Sequence, residues 1–163
     1  MSKAIHSESI YNESNYNELP YILTDFLSYM ETIKGKSKNT VKEYFYDIRL
    51  FLRFIKIHKG YTDEVEFEKV NISDVTIDHI KSLTLSDLYS FMSFLSSERN
   101  NSPSARARKV ASLKSFFNYL SNKAKLLEYN PARELESPKL LKRLPKYLNI
   151  EESKKLLNSV SGN

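Results

Sequence analysis

The sequence predicts an all-α fold, a compact bundle of four to five helices, on three observations. Glycine occurs only three times in 163 residues, too few for a turn-rich β fold. Apolar residues recur at spacings of three and four, the period of a helix with one buried face. They make up 40% of the chain, with aromatics at 12%, which supports a packed core and argues against wholesale disorder.

Residues 1–16 read as a flexible polar tail, because the opening MSKAIHSESIYNESN lacks the apolar run of a signal peptide. A first helix follows over residues 20–33, with Ile22, Phe26, Met30 and Ile33 facing inward and Gly35 ending it. The second and clearest helix starts at Asn39 or Thr40 and runs to about His58, ahead of Gly60. Val41, Tyr44, Phe45, Ile48, Phe51, Leu52 and Ile55 share one side of it, while Lys42, Tyr46, Arg49, Arg53 and Lys56 form a separate narrow band.

Residues 61–84 are acidic and interrupted, and only a short helix near residues 77–83 is predicted there. A third strong helix covers residues 85–99. Thr84, with Asp87 three positions later, opens it as a carboxylate variant of the capping box, and Leu88, Phe91, Met92 and Leu95 point inward.

The fourth helix, residues 102–120, reads SPSARARKVASLKSFFNYL. Ser102 caps it and Pro103 suits its first turn. Val110, Leu113, Phe116, Phe117 and Leu120 make its core side. Ser104, Arg108, Ala111, Ser112, Ser115 and Tyr119 fall on the other side, where small side chains leave room for a phosphodiester backbone to approach Arg108. Past Asn122, Pro131, Pro138 and Pro145 prevent one continuous helix, so the segment reads as a tether. Its Lys139, Lys142, Arg143 and Lys146 can track phosphates, and Asn149 caps a last helix over residues 150–160.

Net charge is +5, but its distribution says more. Residues 34–60 carry eight basic side chains against two acidic, and residues 101–163 thirteen against five. The blocks between and before them are acidic: residues 1–33 have one basic against five acidic, and residues 61–100 three against eight. A fold that brings the two basic blocks together presents one strongly positive face, the electrostatic footprint of a nucleic-acid binder. Lysine and arginine are also ordinary on any solvated helix face, so the argument rests on two helices repeating one arrangement.

Other chemistry is excluded by composition. Without cysteine there are no disulfides and no thiolate nucleophiles or metal ligands. His6, His58 and His79 lack metal-ligand spacing, and no glycine-rich phosphate loop occurs, so neither a metal nor a cofactor is expected. No apolar run approaches the ~20 residues that span a bilayer. A cytoplasmic chain with no membrane partner is expected.

Three stretches, in this order, carry a resemblance: SKNTVKEYFYDIRLFLRFI; LTLSDLYSFMSFL with SPSARARKVASLKSFFNYL; and NPARELESPKLLKRLPKYLNIEESKKLL. The chain resembles the N-terminal part of tyrosine recombinases, the integrase family, and among them the Xer-type members that act on chromosomal sites. The resemblance implies a core-binding domain at residues 17–136, a basic linker at 137–147 and the start of a truncated catalytic domain at 148–163. Such a domain sits on one face of double-stranded DNA, with its second and fourth helices toward the major groove, and family members assemble as tetramers on paired sites.

Residue by residue, the resemblance makes Thr40, Arg106, Arg108 and Lys109 the foremost DNA contacts. Lys36, Lys38 and Asn39 add phosphate contacts at a helix N-terminus, where free N–H groups favour anions. Lys42, Tyr46, Arg49 and Arg53 on one helix, Ser104, Ser112 and Ser115 on the other, and Lys139, Lys142 and Arg143 on the tether complete the candidate interface. The family cleaves DNA with a tyrosine nucleophile supported by arginines, a lysine and histidines. No motif of that set is matched here, so no catalytic residue is assigned and the chain alone is expected neither to cut nor to rejoin DNA. The alternatives are a helical transcription regulator reading DNA with the residue 102–120 helix, and a helical protein-interaction module. The ordered third stretch weighs against the first, and the alternating charge against the second.

Overall fold

The computed structural model describes residues 18–141, 154, 155 and 157–159. Among these, five α-helices form a bundle and no strand occurs. Helix α1 (Tyr21–Thr32) starts behind Pro20 and buries Ile22, Leu23, Phe26, Leu27 and Met30. It closes where Gly35 takes φ 62° and the Lys36 amide donates to the Met30 carbonyl at 3.0 Å, a left-handed cap suited to glycine. The helix therefore stops one residue short of Ile33. That side chain is 71% exposed, against the expectation that it would face inward.

Helix α2 (Lys38–His58) begins slightly earlier than its sequence pattern indicates. Ser37 is the cap, its Oγ accepting the Thr40 amide at 3.2 Å, so Lys38 and Asn39 already lie in the first turn. Its inward side chains Val41, Ile48, Phe51, Leu52 and Ile55 are buried. Helix α3 (Ile77–Lys81) is short. Helix α4 (Leu85–Ser97) opens with the expected capping box: Asp87 Oδ2 accepts the Thr84 amide at 2.9 Å, and Thr84 Oγ1 accepts the Asp87 amide at 3.4 Å. It ends before Arg99, with Asn100 at φ 51° and the Asn101 amide on the Leu95 carbonyl.

Helix α5 (Pro103–Asn118) is capped by Ser102, whose Oγ accepts the Ala105 amide at 3.1 Å, with Pro103 at the start. It runs on into a π turn, Tyr119–Lys123. Phe26, Phe51, Phe91, Phe116 and Phe117 from four helices are fully buried. Phe26 meets Phe116 edge-on at 5.3 Å, and Phe51 meets Phe91 at 5.2 Å and Phe117 at 6.0 Å, all between ring centroids. This aromatic centre fixes α2 and α5 side by side.

Two segments without helical periodicity are also part of the packed body. In the acidic stretch, Val70, Ile72 and Val75 are buried, and a 3₁₀ turn at Phe67–Lys69 lays Phe67 against Phe94 at 5.3 Å. Beyond the π turn, Leu127, Ala132 and Leu135 are buried and the Glu136 amide donates to Tyr89 Oη at 3.3 Å. The chain after Asn122 is therefore anchored to the bundle as far as Leu135, not a tether from its start. Residues 154, 155 and 157–159 are helical, within the last helix the sequence predicts.

Candidate nucleic-acid interface

The front of α2 turns outward along its first three turns. Lys36, Lys38, Asn39 and Lys42 are exposed, and Tyr46 is 44% exposed. Arg49 lies over the rings of Phe45 and Tyr46, at 5.0 and 5.1 Å from their centroids, and the Lys42 ammonium sits 5.9 Å from the Tyr46 ring. Stacking of this kind holds long cationic side chains in one place without neutralising them. Thr40 is less available than expected: its amide is bonded to Ser37 Oγ, and its hydroxyl lies 3.0 Å from the same oxygen.

Helix α5 brings Arg108 against this front. Tyr46, Arg49, Arg53 and Arg108 line one depression of about 350 Å³, together with Leu50, Arg99, Asn101, Lys109 and the acids Asp47 and Glu68. The basic band of α2 thus lies beside Arg108 of α5. This junction is not purely cationic, because Arg108 spans two carboxylates of α2: its Nη1 is 2.6 Å from Glu43 Oε2, and its Nη2 donates to Asp47 Oδ1 at 2.9 Å.

Several residues expected on the front are drawn inward. Ser112 is buried, and its hydroxyl donates to Asp47 Oδ2 at 2.7 Å, so the space its small side chain leaves is filled by Asp47 and not open to DNA. Lys109 is buried with its ammonium 3.5 Å from Asp47 Oδ1. Burial of an aspartate requires donors around it, and these two residues supply them together with Arg108. Arg106 is partly buried with its Nε enclosed and unbonded. Tyr119 is partly buried and packs against the core, its ring 5.6 Å from Phe26 and 4.9 Å from Tyr29, and burial followed by the Asp25 charge pushes its phenol up. Ser104 is exposed and Ser115 half-buried.

The C-terminal part of the α2 band is covered by the acidic segment. Arg53 donates to the Val70 carbonyl at 3.3 Å and to Glu68 at 2.9 Å, leaving its side chain 15% exposed. Burial, then the neighbouring Arg49, lowers its pKa. Lys56 is buried, its ammonium 2.7 Å from both the Asn71 carbonyl and Asp74. Glu68 also accepts from Arg99 at 2.8 Å, and that hydrogen bond holds its carboxyl below the ordinary range.

Of the tether residues, Lys139 is exposed, while Lys142 and Arg143 lie outside the described residues. His58 lies 3.2 Å from Asp87, and His79 completes the cap of α3 with Thr76. Neither belongs to the interface. Sequence reading missed Glu43, Asp47, Glu68 and Arg99 as parts of the site. Glu43 and Asp47 carry a faint signal, two acids one turn apart within a basic band, but Arg99 enters only through the fold.

The family model for the phage integrase N-terminal SAM-like domain matches residues 22–124. The chain is 56% identical over 144 residues to the tyrosine recombinase XerC of Caldanaerobacter subterraneus subsp. tengcongensis, covering 88% of this chain and 41% of that protein. It is 35% identical over 138 residues to the tyrosine recombinase XerD of Listeria monocytogenes serotype 4b, covering 85% and 40%. Against the tyrosine recombinase XerC of Myxococcus xanthus the identity is 35% over 131 residues, covering 80% and 37%. The chain thus spans about two-fifths of the length of these relatives. No solved structure matches it. The helical bundle, the match across residues 22–124 and the likeness to Xer recombinases together place this chain in the family of integrase N-terminal SAM-like domains, as the N-terminal domain of a Xer-type tyrosine recombinase.

Proposed function

We propose that this bundle is the DNA-gripping part of a site-specific recombinase. It seats duplex DNA on the face where α2 and α5 meet, while strand cleavage and exchange belong to the portion of the relatives that this chain does not span. The observation that carries the reading is the convergence of Lys42, Tyr46, Arg49 and Arg108 at one exposed seam. Cations on rigid helices suit a duplex because phosphate contacts set register and orientation, and Tyr46 adds a flat apolar surface beside the charge. The exposed loop Lys36 and the first-turn Lys38 and Asn39 extend the face toward the α2 N-terminus, whose dipole favours phosphate. In the whole protein, further protomers would join on paired sites.

The test is a titration of the chain against duplex DNA at several salt concentrations. Each neutralised phosphate steepens the log–log salt slope by about 0.9. Binding should show a slope equivalent to several contacts, and Lys42→Glu with Arg49→Glu should abolish it with helicity unchanged. A flat slope for the wild-type chain would remove the DNA reading and leave a protein-interaction module.

A further inference from the structure

Asp47 is 2% exposed, yet three cationic or hydroxyl donors of α5 converge on it. Arg108 Nη2 lies at 2.9 Å, Ser112 Oγ at 2.7 Å and Lys109 Nζ at 3.5 Å. Ser112 and Lys109 are buried themselves, so what they serve is the carboxylate. Arg108 is different. Its side chain is 49% exposed, and its Nη1 rests on Glu43, whose side chain is 53% exposed. One edge of a planar guanidinium is therefore fixed inside the seam, and the other is held by a partner in contact with water.

We propose that Asp47 is a positioning residue for DNA binding: it holds Arg108 upright at the α2/α5 seam, and Glu43 is a stand-in for a backbone phosphate that displaces it when duplex docks. This rests on the DNA-gripping function above. Carboxylate and phosphate oxygens take the same charge-assisted hydrogen bonds from a guanidinium, so Nη1 exchanges one for the other without moving. Glu43 re-enters water at small cost, as an exposed ion-pair partner does. Asp47 cannot leave, because its buried charge would lose its partners. The asymmetry decides which carboxylate yields to DNA.

The experiment is a double-mutant cycle on duplex affinity in the full chain, with Asp47→Asn, Arg108→Gln and both together, at a temperature where circular dichroism shows each variant folded. Asp47→Asn and Arg108→Gln should each weaken binding about tenfold, the scale of one charge-assisted hydrogen bond. The double variant should be no weaker than Arg108→Gln alone. Glu43→Gln should tighten binding a few-fold, on the same scale, and that gain should vanish in the Arg108→Gln background. Additive effects of Asp47→Asn and Arg108→Gln, or a folded Asp47→Asn variant with wild-type affinity, would overturn the proposal.

If Asp47→Asn does not fold, nitrogen-15 spectra of the wild-type chain decide. A resolved, slowly rotating Arg108 guanidinium with and without duplex is expected, and one as mobile as a free arginine overturns the positioning role. Lys42→Glu separates the two levels of failure. If it weakens binding while the cycle is additive, only the role of Asp47 falls. If the wild-type chain shows no salt-dependent binding, the DNA reading falls and takes this inference with it.

Discussion

The basic band of α2 has two ends with opposite fates. Lys42 and Arg49, within the first twelve residues of α2, stand outward, arranged by aromatic rings. Arg53 and Lys56, at the same helical spacing in the second half, are enclosed by Glu68, Asp74 and the carbonyls of Val70 and Asn71. Side-chain type and periodicity are the same at both ends. What differs is the chain that follows: the acidic segment leaves the end of α2, doubles back over its last turns and carries its own acceptors. A cation on a helix face is thus left open to solvent or made a structural anchor according to what returns to cover it.

Reversing charge at each end breaks this contrast most sharply. Lys56→Glu places a carboxylate among the acceptors that now bind an ammonium, beside Asp74 and the Asn71 carbonyl. Lys56 is the buried member of this pair and Asp74 is largely exposed, so the expected cost is that of a carboxylate enclosed without a cation, about 3 kcal/mol of stability, read by urea denaturation. Lys42→Glu should change stability by less than about 0.5 kcal/mol, as exposed substitutions do. Its effect should fall on DNA, weakening duplex binding about tenfold at low salt and flattening the salt slope by about 0.9. Equal stability losses at the two positions would erase the distinction.

The same contrast marks how far the sequence is legible. Local signals are reliable where neighbours in the chain make the contact: the Ser102 cap, the Thr84–Asp87 box and the glycine that closes α1 all follow from short motifs. The two basic blocks are also legible in the charge distribution, while their adjacency comes from the packing of α2 against α5. The acceptors are not legible. Asp47 meets Arg108 and Ser112 across 61 and 65 residues, and Arg99 meets Glu68 across 31. Helical spacing therefore places Ser112 and Arg53 on an outward face, and the family resemblance makes Lys109 a DNA contact, without revealing which carboxylate will turn them in. Val70, Ile72 and Val75 are buried from an irregular strand of chain, with no period to announce it.

The smallest expected effect lies at Glu68, which joins the covered half of α2 to Arg99 and so ties the acidic segment to the turn that follows α4. The Arg99 hydrogen bond, opposed by burial and aided by the charges of Arg99 and Arg53, holds the Glu68 carboxyl below its ordinary value near 4.5. A carboxyl whose pKa is lower in the folded than in the unfolded chain stabilises the fold fully above the unfolded value, and loses that contribution as pH falls through the folded one. Glu68→Gln should therefore reduce stability at neutral pH by less than about 1 kcal/mol, since Glu68 is largely exposed and screened. The difference from wild type should close as the pH is lowered below about 4.5. Asp74, lowered chiefly by the Lys56 hydrogen bond, keeps its own acid sensitivity in both proteins. So does Asp87, where burial raises the pKa but the Thr84 amide and Lys59 overcome it. Urea titrations of the two proteins across this range isolate Glu68 from that shared background. A difference that persists undiminished at acid pH would mean that Glu68 holds the segment by packing and not by its charge, and the covered half of α2 would then owe its enclosure to Phe67 and Val70 instead.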